Sequence, residues 1–265
     1  MSKIHEANRR HWNSQATTWE ERLNRDGRWR RCHQEPELAF EGETLSTIRE
    51  MVGNLRDKQV CIIGSGDNMA AYALSGLGAA VTSTDISEGR LKLAADRAEI
   101  LGVSIDFVRS DAADLGFADD STFDLVCSTN GFFVWIADLG AVFREVSRIL
   151  KPGGTYVFYD IHPFMRPWKE QVKPIEMAKP YWDTGPFRES ADGSYEFNWT
   201  LADLLNPLAQ AGLTLKKVLE SPAQDPGFWQ GGGDVSDIDE SLLDWRRNPR
   251  AGLPVWLTVA ASRID

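Results

Sequence analysis

The chain has 265 residues, 42% hydrophobic and 26% charged, with 29 Lys plus Arg against 39 Asp plus Glu and a formal charge of −10. This is the composition of a globular protein large enough to need no stapling of its core, and its acidic balance repels phosphate backbones, so nucleic acid is not an expected partner; residues 28–31 hold only three arginines. No window approaches 18 consecutive apolar residues and residues 1–10 are too polar for a signal peptide, so a membrane is not expected either and the protein reads as cytoplasmic.

A polar arm of some 40 residues comes first, with Trp12 and Trp19 seven apart and therefore on one face of a helix. Residues 60–63 are a short apolar, β-branched run ending at Gly64, the pattern of a buried parallel strand. Met69, Ala70, Ala73, Leu74 and Leu77 then recur at spacings of three and four, which predicts a helix that Gly76 and Gly78 end. A second strand over 80–84 stops at Asp85. A helix over 89–101, a strand over 105–108, a turn-rich stretch over 110–121 and a strand over 123–128 follow. Leu139, Val142, Phe143, Val146, Ile149 and Leu150 make an apolar stripe, and Lys151-Pro152-Gly153-Gly154 stops that helix before a fifth strand over 155–159. Repeated strand–helix units imply a doubly wound α/β fold, a mostly parallel sheet with helices on both faces.

Residues 163–199 contain Pro163, Pro167, Pro174, Pro180 and Pro186 and no sustained period, and read as an insertion. Leu201, Leu204, Leu205, Leu208 and Ala209 give one more helix. Two late strands, over 213–219 and 255–261, flank a loop with Gly231-Gly232-Gly233 and could close the sheet edge antiparallel. Cys32, Cys61 and Cys127 suit neither a disulfide framework nor a zinc site, and the four histidines are scattered, so no metal is expected.

In open α/β sheets ligands bind outside the carboxyl ends of the strands. After the first strand comes Gly64-Ser65-Gly66-Asp67-Asn68, where glycines allow a tight turn and close approach of a ligand to a helix N-terminus. Asp85 lies 21 residues after Gly64 at the end of the second strand, where a carboxylate can accept two hydrogen bonds from a ribose diol. The competing structural reading has the glycines merely turning the chain and Asp85 capping the next helix. Met69 stands where a dinucleotide fold wants glycine or alanine, which disfavours a nicotinamide cofactor and favours a ligand with an α-amino acid group and no phosphate.

With these motifs in this order the chain resembles the class I S-adenosylmethionine-dependent methyltransferases, in particular the small-molecule branch of the methyltransferase type 11 kind. Residues 60–66, including Ile63, Gly64, Ser65 and Gly66, look like its first motif, and Thr84-Asp85, followed by Ile86, like its acidic ribose-binding end of the second strand. Ser110-Asp111-Ala112 resembles its adenine-contacting turn, residues 123–131, with Thr129 and Asn130, its fourth-strand motif, and residues 150–154 the turn before its fifth strand. The resemblance implies a seven-stranded Rossmann-like sheet whose last strand runs antiparallel, S-adenosyl-L-methionine as cofactor, S-adenosyl-L-homocysteine as product and no metal. It departs from the family at Ile62, where an acidic residue is common, and at Asn68, so that Asp67 or Asn68 is left to meet the methionine ammonium.

Of ten tryptophans only Trp135 lies between residues 40 and 162, which places aromatic area outside the cofactor-binding half. Such area suits a lid over a flat or apolar small-molecule acceptor, or equally a second core. The expected acceptor pocket lies between arm and insertion, with Trp12, Trp19, Phe132, Trp135, Tyr159 and His162 as candidates. His162, just beyond the fifth strand, is also the candidate general base, against a structural role at a strand end. The expected layout is one domain with a helical arm (1–40), a cofactor-binding core (41–162), a substrate-lid insertion (163–199) and a terminal helix and strand pair (200–265). Its expected activity is methyl transfer to a nitrogen or oxygen of a small molecule. The alternatives are an S-adenosylmethionine-binding regulatory or scaffold protein, or a nicotinamide-dependent oxidoreductase; assembly as a homo-oligomer is left open.

Overall fold

The apolar runs become strands because their side chains alternate between two buried faces. Val60 and Ile62 enter one cluster while Cys61 and Ile63 enter another. A computed structural model describes residues 1–169, 174–188, 193–230 and 238–264; the loop glycines at 231–233 lie outside the described residues. Its elements are α1 (Lys3–Asp26), α2 (Thr44–Val52), β1 (Gln59–Ile62), α3 (Met69–Gly76), β2 (Ala80–Asp85), α4 (Glu88–Leu101), β3 (Ile105–Arg109), β4 (Phe123–Ser128), α5 (Leu139–Ile149), β5 (Leu150–Ile161), β6 (Phe187–Arg188), β7 (Tyr195–Glu196), α6 (Leu201–Gln210), β8 (Leu213–Ser221) and β9 (Trp256–Arg263).

Seven strands form one sheet in the order β3-β2-β1-β4-β5-β9-β8, with β6 and β7 a separate hairpin. Strands β1 to β5 run parallel, and β9 is antiparallel to both β5 and β8. The last strand therefore runs antiparallel, as the sequence predicts. The chain works outward from β1 to β3 and then returns to β4 beside β1, so the crevice at this reversal opens at the carboxyl ends of β1 and β4.

On one face Phe143 and Val146 of α5 and Leu204 and Leu208 of α6 pack on Tyr156, Phe158 and Val259. Across the sheet, Ile48 of α2 and Ala71 and Leu74 of α3 pack on Ile62, Leu125 and Val157. All three cysteines are buried, and burial pushes their thiols up, Cys32 to about 12, as inert apolar side chains.

Two elements differ from the sequence reading. Residues 151–154 do not end a helix in an isolated turn but belong to β5, with Gly153 at φ 74° and a register shift against β4 between Phe123 and Leu125. Helix α2 was not anticipated; its signal is Leu45, Ile48, Met51 and Val52 at helical spacing, of which Leu45 and Ile48 are buried. Helix α1 is polar and buries only His5, Ala7, Asn8, Ala16 and Leu23, so apolar burial contributes little to its placement.

Phe143 is fully buried among Phe133, Tyr156 and their neighbours. Phe143→Ala should lower the unfolding free energy by about 3 to 5 kcal/mol, measured by urea denaturation; a loss under 1 kcal/mol would contradict this account of the core.

Candidate functional site

The floor of the crevice is the loop after β1. Gly64 and Gly66 have φ of 57° and 54°, and a Cβ on Gly64 would fall 2.2 Å from the Phe132 ring, so glycine is required there. Beneath the loop, the Ser83 hydroxyl lies 2.8 Å from Ser65 Oγ and also meets Asn68 Oδ1, while Asn68 Nδ2 donates to the Gly66 carbonyl at 3.1 Å.

Asp85 closes β2. Its Oδ2 accepts from the Gly66 amide at 3.0 Å and its Oδ1 from the Ser87 amide at 2.9 Å. Burial raises its carboxyl above the ordinary value, against the pull of the Arg90 charge and the surrounding amides. Asp160, near the end of β5, likewise accepts from the Gly131 and Phe133 amides at 3.0 and 3.2 Å and is raised by burial; it fixes the loop after β4.

Helix α1 roofs this floor through polar side chains. His5 Nδ1 donates to Asp111 at 2.9 Å and its Nε2 accepts from the Ala137 amide at 3.0 Å, which assigns the ring proton to Nδ1. Asn8 bridges the Trp135 and Tyr195 backbones. Asn13 Oδ1 accepts from Ser87 Oγ and the Gly89 amide at the start of α4. Glu20 pairs with Arg97, which also donates to the Asp67 carbonyl and the Tyr72 hydroxyl. Trp12 lies 5.0 Å from Trp135 and 5.8 Å from Trp19, ring centre to centre.

Floor and roof enclose a cavity of about 410 Å³. Of the residues expected from sequence, Gly64, Gly66, Asp85, Ile86, Asp111, Ala112, Thr129 and Asn130 line it, as do Trp12, Trp19, Phe132, Trp135 and Tyr159. Ile63, Ser65 and Asn68 do not: Ile63 is in the core, and the other two support the loop from beneath. Asp67 faces the cleft instead of Asn68.

His162 also falls outside the lining, which corrects its expected place beside the acceptor. Strand β5 carries the chain on to Ile161, and His162 then caps the turn at Pro163–Met165, its Nδ1 accepting from the Phe164 amide at 3.1 Å. Its Nε2 lies 2.8 Å from Glu220 of β8, and burial holds its imidazole below the ordinary value despite that carboxylate. Described residues of 163–199 do not line the cavity, whereas residues of the arm do. Among the tryptophans Trp29, Trp229 and Trp256 pack in apolar clusters, Trp199 stacks on Phe197, and only three reach the cleft.

Lining residues that the sequence did not reveal include His5, Arg28, Glu41 and Arg90. Arg90 left a trace: a cation in the first turn of a helix opposes the helix dipole. Glu41, whose carboxyl burial raises, and Arg28 come from the irregular segment between α1 and α2, where no periodicity operates. Among the described residues no His/Cys/Asp/Glu group could hold a metal, and no helix is long and apolar enough to cross a membrane.

Residues 62–158 match the family model described as a methyltransferase domain. The chain is 34% identical over 146 residues to the uncharacterized protein YafE of Escherichia coli, a match covering 53% of this chain and 65% of that protein. It is 33% identical over 105 residues to a ubiquinone biosynthesis O-methyltransferase of Thiobacillus denitrificans, covering 40% of this chain and 44% of that one. The chain thus spans less than two thirds of either curated relative. An S-adenosylmethionine-dependent methyltransferase structure from Mesorhizobium loti shares the fold, with a TM-score of 0.62 at 22% identity, covering 84% of this chain and 98% of that one.

Asp111 carries the pH consequence of the arm's docking. Burial works against its ionisation, but the hydrogen bonds from His5 and the Ala113 amide outweigh burial and hold the carboxyl below its ordinary value. Its contribution to stability is therefore full above the unfolded-state value and is lost as pH falls through the folded one. Asp111→Asn should flatten the acid limb of a stability–pH curve measured by denaturant titration; identical limbs in variant and wild type would contradict the pairing.

Proposed function

We propose that the protein transfers a methyl group from S-adenosyl-L-methionine to a nitrogen or oxygen of a small molecule, a reading supported by the match of residues 62–158 to a methyltransferase domain and by the shared fold. The observation that carries the reading is a single cleft holding Asp85, the two left-handed glycines and Asp111 beneath an aromatic roof. When bound, the cofactor supplies a sulfonium methyl, given up in one displacement with S-adenosyl-L-homocysteine as product.

The chain's own residues suit that ligand. Asp85 has one lone pair on each oxygen committed to a backbone amide and others left to accept from a ribose diol. Asp111 has capacity beyond its His5 contact for an exocyclic amine, and Asp67 and Glu41 offer carboxylates to an ammonium group, with Arg28 as a cation for its carboxylate. Trp12, Trp19, Trp135, Phe132 and Tyr159 exclude water and present flat apolar faces to the acceptor. His5, the histidine in the cleft, has both ring nitrogens engaged, so acceleration rests on alignment and water exclusion. An amine acceptor, which needs no base during transfer, fits this best.

A thermal-shift titration tests the reading. S-adenosylhomocysteine at 100 times its Kd should add about 2.7 kcal/mol of stability, and Asp85→Ala should abolish the shift. Stabilisation by NADH instead, or by neither ligand, would overturn it.

A further inference from the structure

Arg90 stands on the third residue of α4 with its side chain in the cleft, only 7% exposed. Its Nε donates to the Gly66 carbonyl at 3.2 Å, but its buried Nη1 has no hydrogen-bond partner among the described residues. Among the described residues no carboxylate pairs with the guanidinium at ion-pair distance; Asp85, Asp67 and Glu20 act on it through charge from farther away. The guanidinium lies against the faces of Trp12 and Trp19, 4.9 and 5.5 Å from their ring centres. Burial, the helix dipole and an unmet donor all oppose a cation at this place. Two cation–π contacts offset only part of that cost, and a buried arginine this poorly answered within the fold is aimed at something outside it.

We propose that Arg90 is a cofactor-binding residue whose Nη1 donates to an oxygen of the adenosyl ligand, a ribose hydroxyl or the amino-acid carboxylate. The assignment rests on the methyltransferase reading above. Gly66, the partner of Nε, is also the residue whose amide donates to Asp85, so Arg90 borders the ribose and amino-acid parts of the proposed site. Because Trp12 and Trp19 both lie against the same guanidinium, Arg90 makes α1 part of the cofactor site: the helix meets one side of the cation and the ligand another.

Binding of S-adenosylhomocysteine and of 5′-methylthioadenosine, which lacks the amino-acid end, is measured by calorimetry on the full chain and on Arg90→Gln and Arg90→Lys. Arg90→Lys keeps a charge and an alkyl stem should the glutamine variant fold poorly, and unliganded melting temperatures register any purely structural effect. Arg90→Gln should weaken S-adenosylhomocysteine by about tenfold or more, as loss of a charged hydrogen bond in a desolvated site does. Weakening of that ligand alone identifies the carboxylate, and weakening of both identifies the ribose. Variants that bind both ligands like wild type, whatever their melting temperature, overturn the assignment. A wild-type chain that binds neither overturns the proposed function and this assignment with it.

Discussion

Where the strands end, the backbone amides that form the floor of the cleft have lost their sheet partners, and two buried carboxylates replace them. Asp85 gathers the amides of Gly66 and Ser87, tying the loop after β1 to the start of α4. Asp160 gathers those of Gly131 and Phe133, tying the loop after β4 to β5. Burial raises each acid, and a nearby arginine and the amides themselves offset that rise only in part. Gly64 can then press against Phe132 without a side chain between them, and the floor is held in one shape.

The roof is attached differently. Helix α1 places few apolar residues in a core and is held by His5 on Asp111, Asn13 on the start of α4 and Glu20 on Arg97. Each of these contacts ends on an element that also shapes the floor. Polar pairing, more than apolar burial, therefore holds the roof on the floor.

Residues that obey a period or a fixed spacing were legible in the sequence. The strand–helix alternation, the pairing of Gly64 with Asp85, and Asp111 at a turn all came from local pattern, and the cleft gathers them. What was hidden depends on contacts distant along the chain. His5 meets Asp111 across 106 residues, and no spacing rule relates them. His162 looked catalytic because it follows a strand at the ligand edge, yet the strand runs on to Ile161 and the ring turns to the Phe164 amide and Glu220. Composition reports which side chains of residues 163–199 are apolar and not which surface they cover, and the described ones lie outside the cleft lining. Ser65 and Asn68 sat in the right motif but point beneath the loop, since a tight left-handed turn sends successive side chains in different directions.

The central claim is that floor and roof form one cofactor site, and hydrogen exchange of the full chain with and without saturating S-adenosylhomocysteine tests it most directly. The account predicts slower exchange both in the floor, over residues 64–69 and 85–90, and in the roof along α1. Protection confined to the floor, with α1 exchanging at its unliganded rate, would contradict it.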